Sequence, residues 1–178
     1  MRVICISGKA QSGKDTTAKI MCGELERFGN RVLITHYADL LKYVCKTFFA
    51  WDGQKDHNGR RLLQRIGTDV IRQKDENFFV GFLVKFLAMF EDTWDYVLIP
   101  DARFPNEVNM MRERFQTFHV RVERNFKDGL QGELATHSSE TALDNVQPDY
   151  TIHNDGTEKD LRAAVICTLK EIIYAGQA

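Results

Sequence analysis

Short runs of apolar and β-branched residues alternate along the chain with longer stretches in which apolar positions return every three or four residues. "RVICIS" (2–7), "RVLITHY" (31–37), "YVLIP" (96–100) and "FHVRVE" (118–123) read as buried strands, with "YTIHN" (150–154) a weaker fifth. Ala18, Met21, Cys22, Leu25 and Phe28 fall on one face at helical spacing. Phe78, Phe79, Phe82, Leu83, Phe86, Leu87 and Phe90 form a wider stripe, which predicts a helix turned toward the core. Further helices are predicted over 39–49, 60–74, 105–115 and 157–174, the last opened by Thr157 and Asp160 at capping-box spacing. Strands alternating with helices predict an α/β architecture. Parallel strands need crossover connections, so helices should cover both faces of the sheet, and ligands should sit beyond the carboxyl ends of the strands.

The chain has 178 residues, 43% of them hydrophobic, which suits one domain over 1–178. Its 24 lysines and arginines nearly cancel 25 acidic residues, so polymeric nucleic acid and anionic membranes are not expected partners, and any anion site must be local. Cys5, Cys22, Cys45 and Cys167 show neither a CxxC pair nor zinc spacing, which fits buried, reduced thiols. No basic leader precedes "RVICIS" and no apolar run is long enough to span a bilayer, so a soluble cytoplasmic protein is expected.

"SGKAQSGKDTTA" (7–18) supplies the local site. Gly8 to Lys14 fit GxxxxGK between a predicted strand and a predicted helix, the context in which such a loop turns backbone N–H groups around phosphate oxygens. The candidate donor contacts are Gly8, Lys9, Ala10, Gln11, Ser12, Gly13 and Lys14, with Asp15 and Thr16 at the helix start. Lys14 supplies a mobile charge; Lys9 stands at the rim, where a solvated surface role is the alternative. Asp15 occupies a position where such loops usually carry a hydroxyl. Facing polyphosphate alone, it would meet a repulsion of about 4 kcal/mol per charge at about 4 Å. A divalent ion reverses the sign, so Asp15, directly or through water, is expected to hold Mg²⁺, with Thr16 as the substitute; complementing the helix dipole is the other task open to Asp15. Asp101 ends the predicted strand at 96–100, which places it near the same ion, with capping of the following turn as its alternative. Arg103 lies two residues on, within reach of an acceptor phosphate.

"GKAQSGKDTTA", "YADLLK" (37–42), "LLQRIGTDVIR" (62–72), "DARFPNEV" (101–108), "THSSETALD" (136–144) and "YTIHNDGT" (150–157) together resemble, in order, the phage-type deoxynucleoside monophosphate kinases, and less closely the phosphomevalonate kinases. The resemblance implies a three-layer P-loop nucleoside monophosphate kinase fold: a five-stranded parallel sheet, helices on both faces, an acceptor-binding helical segment over 38–92 and a lid over 124–143. It implies ATP, Mg²⁺ and a deoxynucleoside monophosphate as ligands, with Asp39, Lys42, Gln64, Arg65, Arg72 and Arg103 facing the acceptor. Arg65 and Arg72, seven apart, would share a helical face and clamp a monophosphate. Tyr37, Phe78 and Gln64 are candidates to contact its base.

Arg121 and Arg124 at the stem of the lid, with Lys127, are candidates to meet the transferred phosphoryl group when the lid closes, Arg124 foremost. His137, Ser139 and Glu140 match a family block without an assigned task. Backbone groups of Asn154, Asp155 and Gly156 would read the donor base. The expected catalytic set is therefore Lys14, Asp101, Arg103 and Arg124, in a monomer or homodimer. A kinase for phosphomevalonate or a similar metabolite is the rival reading. A nucleotide switch lacks support, since "DHNG" (56–59) fits DxxG but follows no clear strand.

Overall fold

The computed structural model describes residues 1–54, 56–125 and 138–175. Five strands, β1 (Arg2–Ser7), β2 (Val32–Ile34), β3 (Tyr96–Ala102), β4 (Gln116–Glu123) and β5 (Tyr150–His153), form one all-parallel sheet in the order β2-β3-β1-β4-β5. The helices are α1 (Lys14–Arg27), α2 (Ala38–Phe48), α3 (His57–Gln64), α4 (Phe78–Met89), α5 (Pro105–Arg114), α6 (Ser138–Thr141) and α7 (Glu158–Ala175).

Strand alternation sorts the core into two layers. Val3 and Cys5 of β1 and Val97 and Ile99 of β3 point to one face, where they pack with Leu41 of α2, Leu83 and Leu87 of α4 and Met111 of α5. Ile4, Ile6, Tyr96 and Leu98 point to the other, against Ala18, Met21 and Leu25 of α1 and Val165, Leu169 and Ile172 of α7. With both faces covered, continuous apolar runs are what parallel strands require. No helix among the described residues is long and apolar enough to cross a membrane.

The departures from the sequence reading have local causes. β2 stops at Ile34 rather than 37: the Asp39 carboxylate accepts the His36 N–H at 3.0 Å and turns the chain into α2. β3 runs on to Ala102, but its ladder with β1 slips between Cys5 and Ser7, opposite Pro100, which has no N–H to give. The helix predicted over 60–74 is α3, followed by a π-helical segment, Arg65–Arg72, in which Gly67 lies so close to α2 that an added Cβ would stand 2.6 Å from Leu41. "DHNG" opens α3, since Asp56 accepts the Gly59 N–H at 2.7 Å. Half of the phenylalanine stripe also departs: Phe79, Leu83 and Leu87 are core, whereas Phe78, Phe82, Phe86 and Phe90 are exposed. Of the cysteines, Cys5 and Cys45 are buried and Cys167 is exposed; all four are free thiols. The Thr157 reading holds, as Asp160 accepts from both the Thr157 N–H and its hydroxyl.

Candidate active site

The loop from β1 into α1 needs its glycines. Gly8 has φ 143° and an added Cβ would meet the Val122 carbonyl oxygen at 2.2 Å; Gly13 has φ 103° and the same atom would stand 2.5 Å from the Asn154 amide nitrogen. Gln11 between them takes φ 64°, rare for a residue with a Cβ. Lys14, 9% exposed, folds its ammonium back over the loop and donates to the Gly8 and Lys9 carbonyls, both at 2.7 Å. Ser12 Oγ and Thr17 Oγ1 are buried with no hydrogen-bond partner among the described residues.

A chain of charge leads from this loop to α2. The exposed Asp15 carboxylate lies 3.4 Å from His36 Nε2, His36 Nδ1 lies 3.3 Å from Asp39, and Asp39 accepts from Lys42 at 2.7 Å. Asp15 raises the His36 pKa. Burial pushes the Asp39 carboxyl up, but Lys42 and His36 outweigh it and the net is a lowered pKa. Asp101 has a task of its own: its two oxygens accept the N–H groups of Tyr37 and Ala38, each at 3.0 Å, so it caps α2 from across the sheet. The cap is of α2, not of the turn that follows β3.

The proposed Arg65–Arg72 clamp is not present. The π-helical winding is wider than 3.6 residues per turn, so a spacing of seven no longer returns to one face. Arg65 is exposed, Gln64 half-buried, and the Arg72 side chain is 9% exposed inside the protein. There Arg72 donates to Glu107 at 3.1 Å and to Asn106 at 2.8 Å and lies 3.7 Å over the Phe104 ring. Glu107 also accepts the N–H groups of Arg103 (2.7 Å) and Phe104 (3.1 Å). Burial pushes the Glu107 carboxyl up to about 7, against the pull of these donors and Arg72. The pair thus ties the π-helical segment to the turn that carries Arg103. Tyr37 is buried, its hydroxyl donating to the Glu107 carbonyl at 3.0 Å, and Phe78 faces outward, so neither is placed to contact a base as the sequence suggested.

Two cavities flank the phosphate loop. One, of about 560 Å³, is lined by Gln11, Lys14, Asp15, Thr16, Asn154 and Gly156. The other, of about 330 Å³, is lined by Lys9, Ser12, Arg103, Asn125 and Asp144 among others. Arg124 lines both. Lys9 closes one rim through an ion pair with Asp144 at 2.6 Å. Arg121 also lines the second cavity, and its guanidinium donates to the carbonyls of Leu143, Asp144 and Val146, pinning the turn after α6. The Asn154 amide donates to the Ser12 carbonyl at 2.8 Å, and its backbone N–H donates to Glu123 at 2.7 Å, which takes that N–H away from any base. Asp155 accepts from the Asn125 backbone and side chain at 2.6 and 3.0 Å, fixing the end of β4 to the turn after β5. Lys127, His137 and the Ser139 and Glu140 side chains lie outside the described residues.

Sequence reasoning missed His36, Glu107 and a buried pair beneath the loop, Ser7 Oγ and His119 Nε2 at 2.7 Å. Burial lowers the His119 pKa to about 4, so the ring is neutral at pH 7. Glu107 had a signal, three residues after Phe104 with proline between, as an acid at the first turn of a helix. His36 and His119 had none, because each lies inside a run that reads as strand.

The loop leaves the central strand at the point where strand order reverses, which is where such sheets bind ligands, and the class this defines is a P-loop kinase. Solved kinases share the fold: the APS kinase CysC of Mycobacterium tuberculosis, in complex with AMPPNP and APS, superimposes with a TM-score of 0.54 at 12% identity, over 99% of this chain and 98% of that one. Within the class the chain belongs to the deoxynucleotide monophosphate kinase family, whose sequence model matches residues 29–165. The deoxynucleotide monophosphate kinase of Enterobacteria phage T4 is 32% identical over 114 residues, 62% of this chain and 45% of that protein. A relative from Acanthamoeba polyphaga mimivirus is 25% identical over 193 aligned positions, 93% of this chain and 95% of that one. The chain therefore matches less than half the length of the T4 relative and nearly all of the mimivirus one.

Proposed function

We propose that the chain transfers the terminal phosphoryl group of ATP to a deoxynucleoside 5′-monophosphate, giving ADP and the diphosphate. Family membership supports the acceptor class, and the AMPPNP in the APS kinase complex supports an ATP-type donor. The observation that carries the reading is Arg124 lining both cavities, one on the phosphate loop and one beside Arg103.

The donor polyphosphate lies along the loop, with N–H groups and Lys14 around it. Lys14 exchanges the Gly8 and Lys9 carbonyls for phosphate oxygens, so its charge is already desolvated and aimed when the donor arrives. Gly156 borders the donor base, and Asn154 fixes the loop to that turn. Arg103 holds the acceptor phosphate at a position set by Glu107, and Arg124 meets the charge that spreads over the transferred group. Asp39, Lys42, Gln64 and Arg65 border the acceptor on the α2 and α3 side. The attacking phosphate oxygen is already ionised, so positioning and charge neutralisation suffice and no general base is required. The lid expected over 124–143 lies mostly outside the described residues.

The donor set fits Mg²⁺. No group of three or more acidic or His/Cys ligands occurs among the described residues, and Mg²⁺ is held by one or two carboxylates plus phosphates and water. Asp15, exposed at the loop, would hold it, with Thr16 beside it and Asp101 able to accept from its hydration shell through lone pairs not used on α2. When bound, Mg²⁺ supplies charge neutralisation across the phosphates. The chain works as a single kinase domain in the cytoplasm, where its reduced thiols and nucleotide substrates belong.

The test is ADP release from ATP and Mg²⁺ with deoxynucleoside monophosphates, ribonucleoside monophosphates and phosphomevalonate offered in turn. Turnover with a deoxynucleoside monophosphate, abolished by Lys14→Ala, is expected. Turnover with phosphomevalonate alone, or undiminished turnover in Lys14→Ala, would refute the reading.

A further inference from the structure

A buried polar pair that the transfer does not use lies under the smaller cavity. Ile4 and Ile6 of β1 turn toward α1 and α7, so Ser7, one step past Ile6, turns to the opposite face, as does His119, the β4 neighbour of Cys5. There Ser7 Oγ and His119 Nε2 stand 2.7 Å apart, with Ser7 1% and His119 0% exposed. Asp149 holds the histidine from its backbone: its carboxylate accepts the His119 N–H at 2.7 Å, and its own N–H donates to the His119 carbonyl at 2.9 Å. Burial, with the charges of Arg121 and Arg112, pushes the ring down to about 4, so it is neutral at pH 7 and carries one proton. Nδ1 is buried with no partner among the described residues. A buried N–H without an acceptor is rarer than an acceptor without a donor, so the proton belongs on Nε2. The Nε2–H then donates to Ser7 Oγ, and the hydroxyl has to turn its own proton elsewhere. Ser7 forms part of the wall of the 330 Å³ cavity together with Arg103, Arg121 and Arg124. Ser12, whose Oγ has no partner among the described residues, is on the same wall, 2.7 Å from where a Cβ on Gly8 would stand.

We propose that Ser7 donates its hydroxyl proton to an oxygen of the acceptor phosphate, and that His119 is the positioning residue that keeps this proton turned into the cavity. The inference rests on the reading of that cavity as the acceptor-phosphate site. A hydroxyl whose oxygen is already tied to a fixed ring loses little freedom on meeting the anion, so the bond adds to affinity with small ordering cost. A hydrogen bond to a charged oxygen is also stronger than one between neutral groups. Ser7 immediately precedes Gly8, so the acceptor phosphate and the loop around the donor are referenced to the same strand end. That shared origin fixes the distance the phosphoryl group has to cross.

Two measurements on the full chain test this without turnover. Long-range proton–nitrogen spectra read which ring nitrogen of His119 carries the proton, and calorimetry reads the binding of each of the four deoxynucleoside monophosphates. The ring is expected to be neutral at pH 7 with its proton on Nε2, and the Nε2 resonance should move when inorganic phosphate is added, because Ser7 links the two. Ser7→Ala should weaken deoxynucleoside monophosphate binding by about tenfold or more, while AMPPNP with Mg²⁺ binds as it does to the wild type. His119→Gln, whose amide can still donate to Ser7, should stay within about threefold of wild-type acceptor affinity, and His119→Leu should lose about tenfold. A wild-type ring protonated at Nδ1 overturns the proposal, and that spectrum decides even where a variant does not fold. A folded Ser7→Ala that binds the acceptor as tightly as the wild type also overturns it and leaves the kinase reading standing. A wild type that binds none of the four overturns that reading and this contact with it.

Discussion

Arg72→Met separates the structural reading of this arginine from the acceptor clamp that its spacing from Arg65 suggested. The substitution keeps an apolar stem beside Phe104 but removes the charge facing Glu107 at 3.1 Å, the bond to Asn106 and the guanidinium 3.7 Å over the ring. Breaking one side of a buried ion pair costs about 3–5 kcal/mol, a large share of the 5–15 kcal/mol typical of a domain. With a urea dependence of about 2 kcal/mol per M, the unfolding midpoint should fall by about 1.5–2.5 M at pH 8. The loss should depend on pH with a definite sign. The Glu107 carboxyl goes from an ordinary 4.5 in the unfolded chain to about 7 when folded. Its contribution is therefore fully present below pH 4.5 and lost as pH rises through 7. Without Arg72 the folded value climbs further, so the variant suffers most above pH 7. At pH 5 the carboxyl is protonated and needs no cation, and the cost shrinks to about 1–2 kcal/mol for the remaining contacts. Adding Glu107→Gln should restore about half of the loss at pH 8, because no charge is then left buried alone. Urea titrations at pH 5 and 8, with acceptor KM measured alongside, provide the assay. A variant of unchanged stability whose acceptor KM rises would refute the structural role and return Arg72 to the acceptor site.

Other outcomes follow from the same geometry. Asp15→Asn should raise the Mg²⁺ concentration needed for half-maximal turnover by about tenfold; an unchanged requirement would assign Asp15 to the helix dipole alone. Gly8→Ala should abolish nucleotide binding measured by calorimetry, since its Cβ would stand 2.2 Å from a backbone carbonyl that cannot retreat. His119 should take about 3 kcal/mol out of stability as pH falls from 6.5 to about 4, because the unfolded chain protonates it before the folded one does; Glu107 acts in the opposite sense over that range, so the check is the difference between wild type and His119→Gln in denaturant unfolding, which should change by about that amount across it. Asn154→Ala should raise the ATP KM more than it lowers kcat, since it frees the Ser12 carbonyl that anchors the loop.

The parts of the fold set by short-range pattern were legible in the chain. β1, its glycine loop and α1 announce themselves because the strand run, the loop spacing and the apolar helix face are local and mutually consistent. What depends on tertiary partners was not. Arg72 reads as one half of a clamp with Arg65 until Glu107, thirty-five residues on, is folded beneath it. A spacing of seven implies one face only if the winding is α-helical, and the approach of Gly67 to Leu41 accompanies a different winding. Asp101 was placed correctly at the end of a strand, yet its bonds to Tyr37 and Ala38 arise from sheet order, which brings β3 beside β2. The phenylalanine stripe was read as core because periodicity marks an apolar face without saying what covers it.

The most direct test of the central claim follows a single phosphoryl group. ATP labelled at its γ-phosphate is incubated with the protein, Mg²⁺ and a deoxynucleoside monophosphate, and the products are separated. The account predicts label in the β-phosphate of the deoxynucleoside diphosphate, formed in step with ADP and absent with Lys14→Ala. Label appearing only as inorganic phosphate, at a rate indifferent to the acceptor, would contradict it.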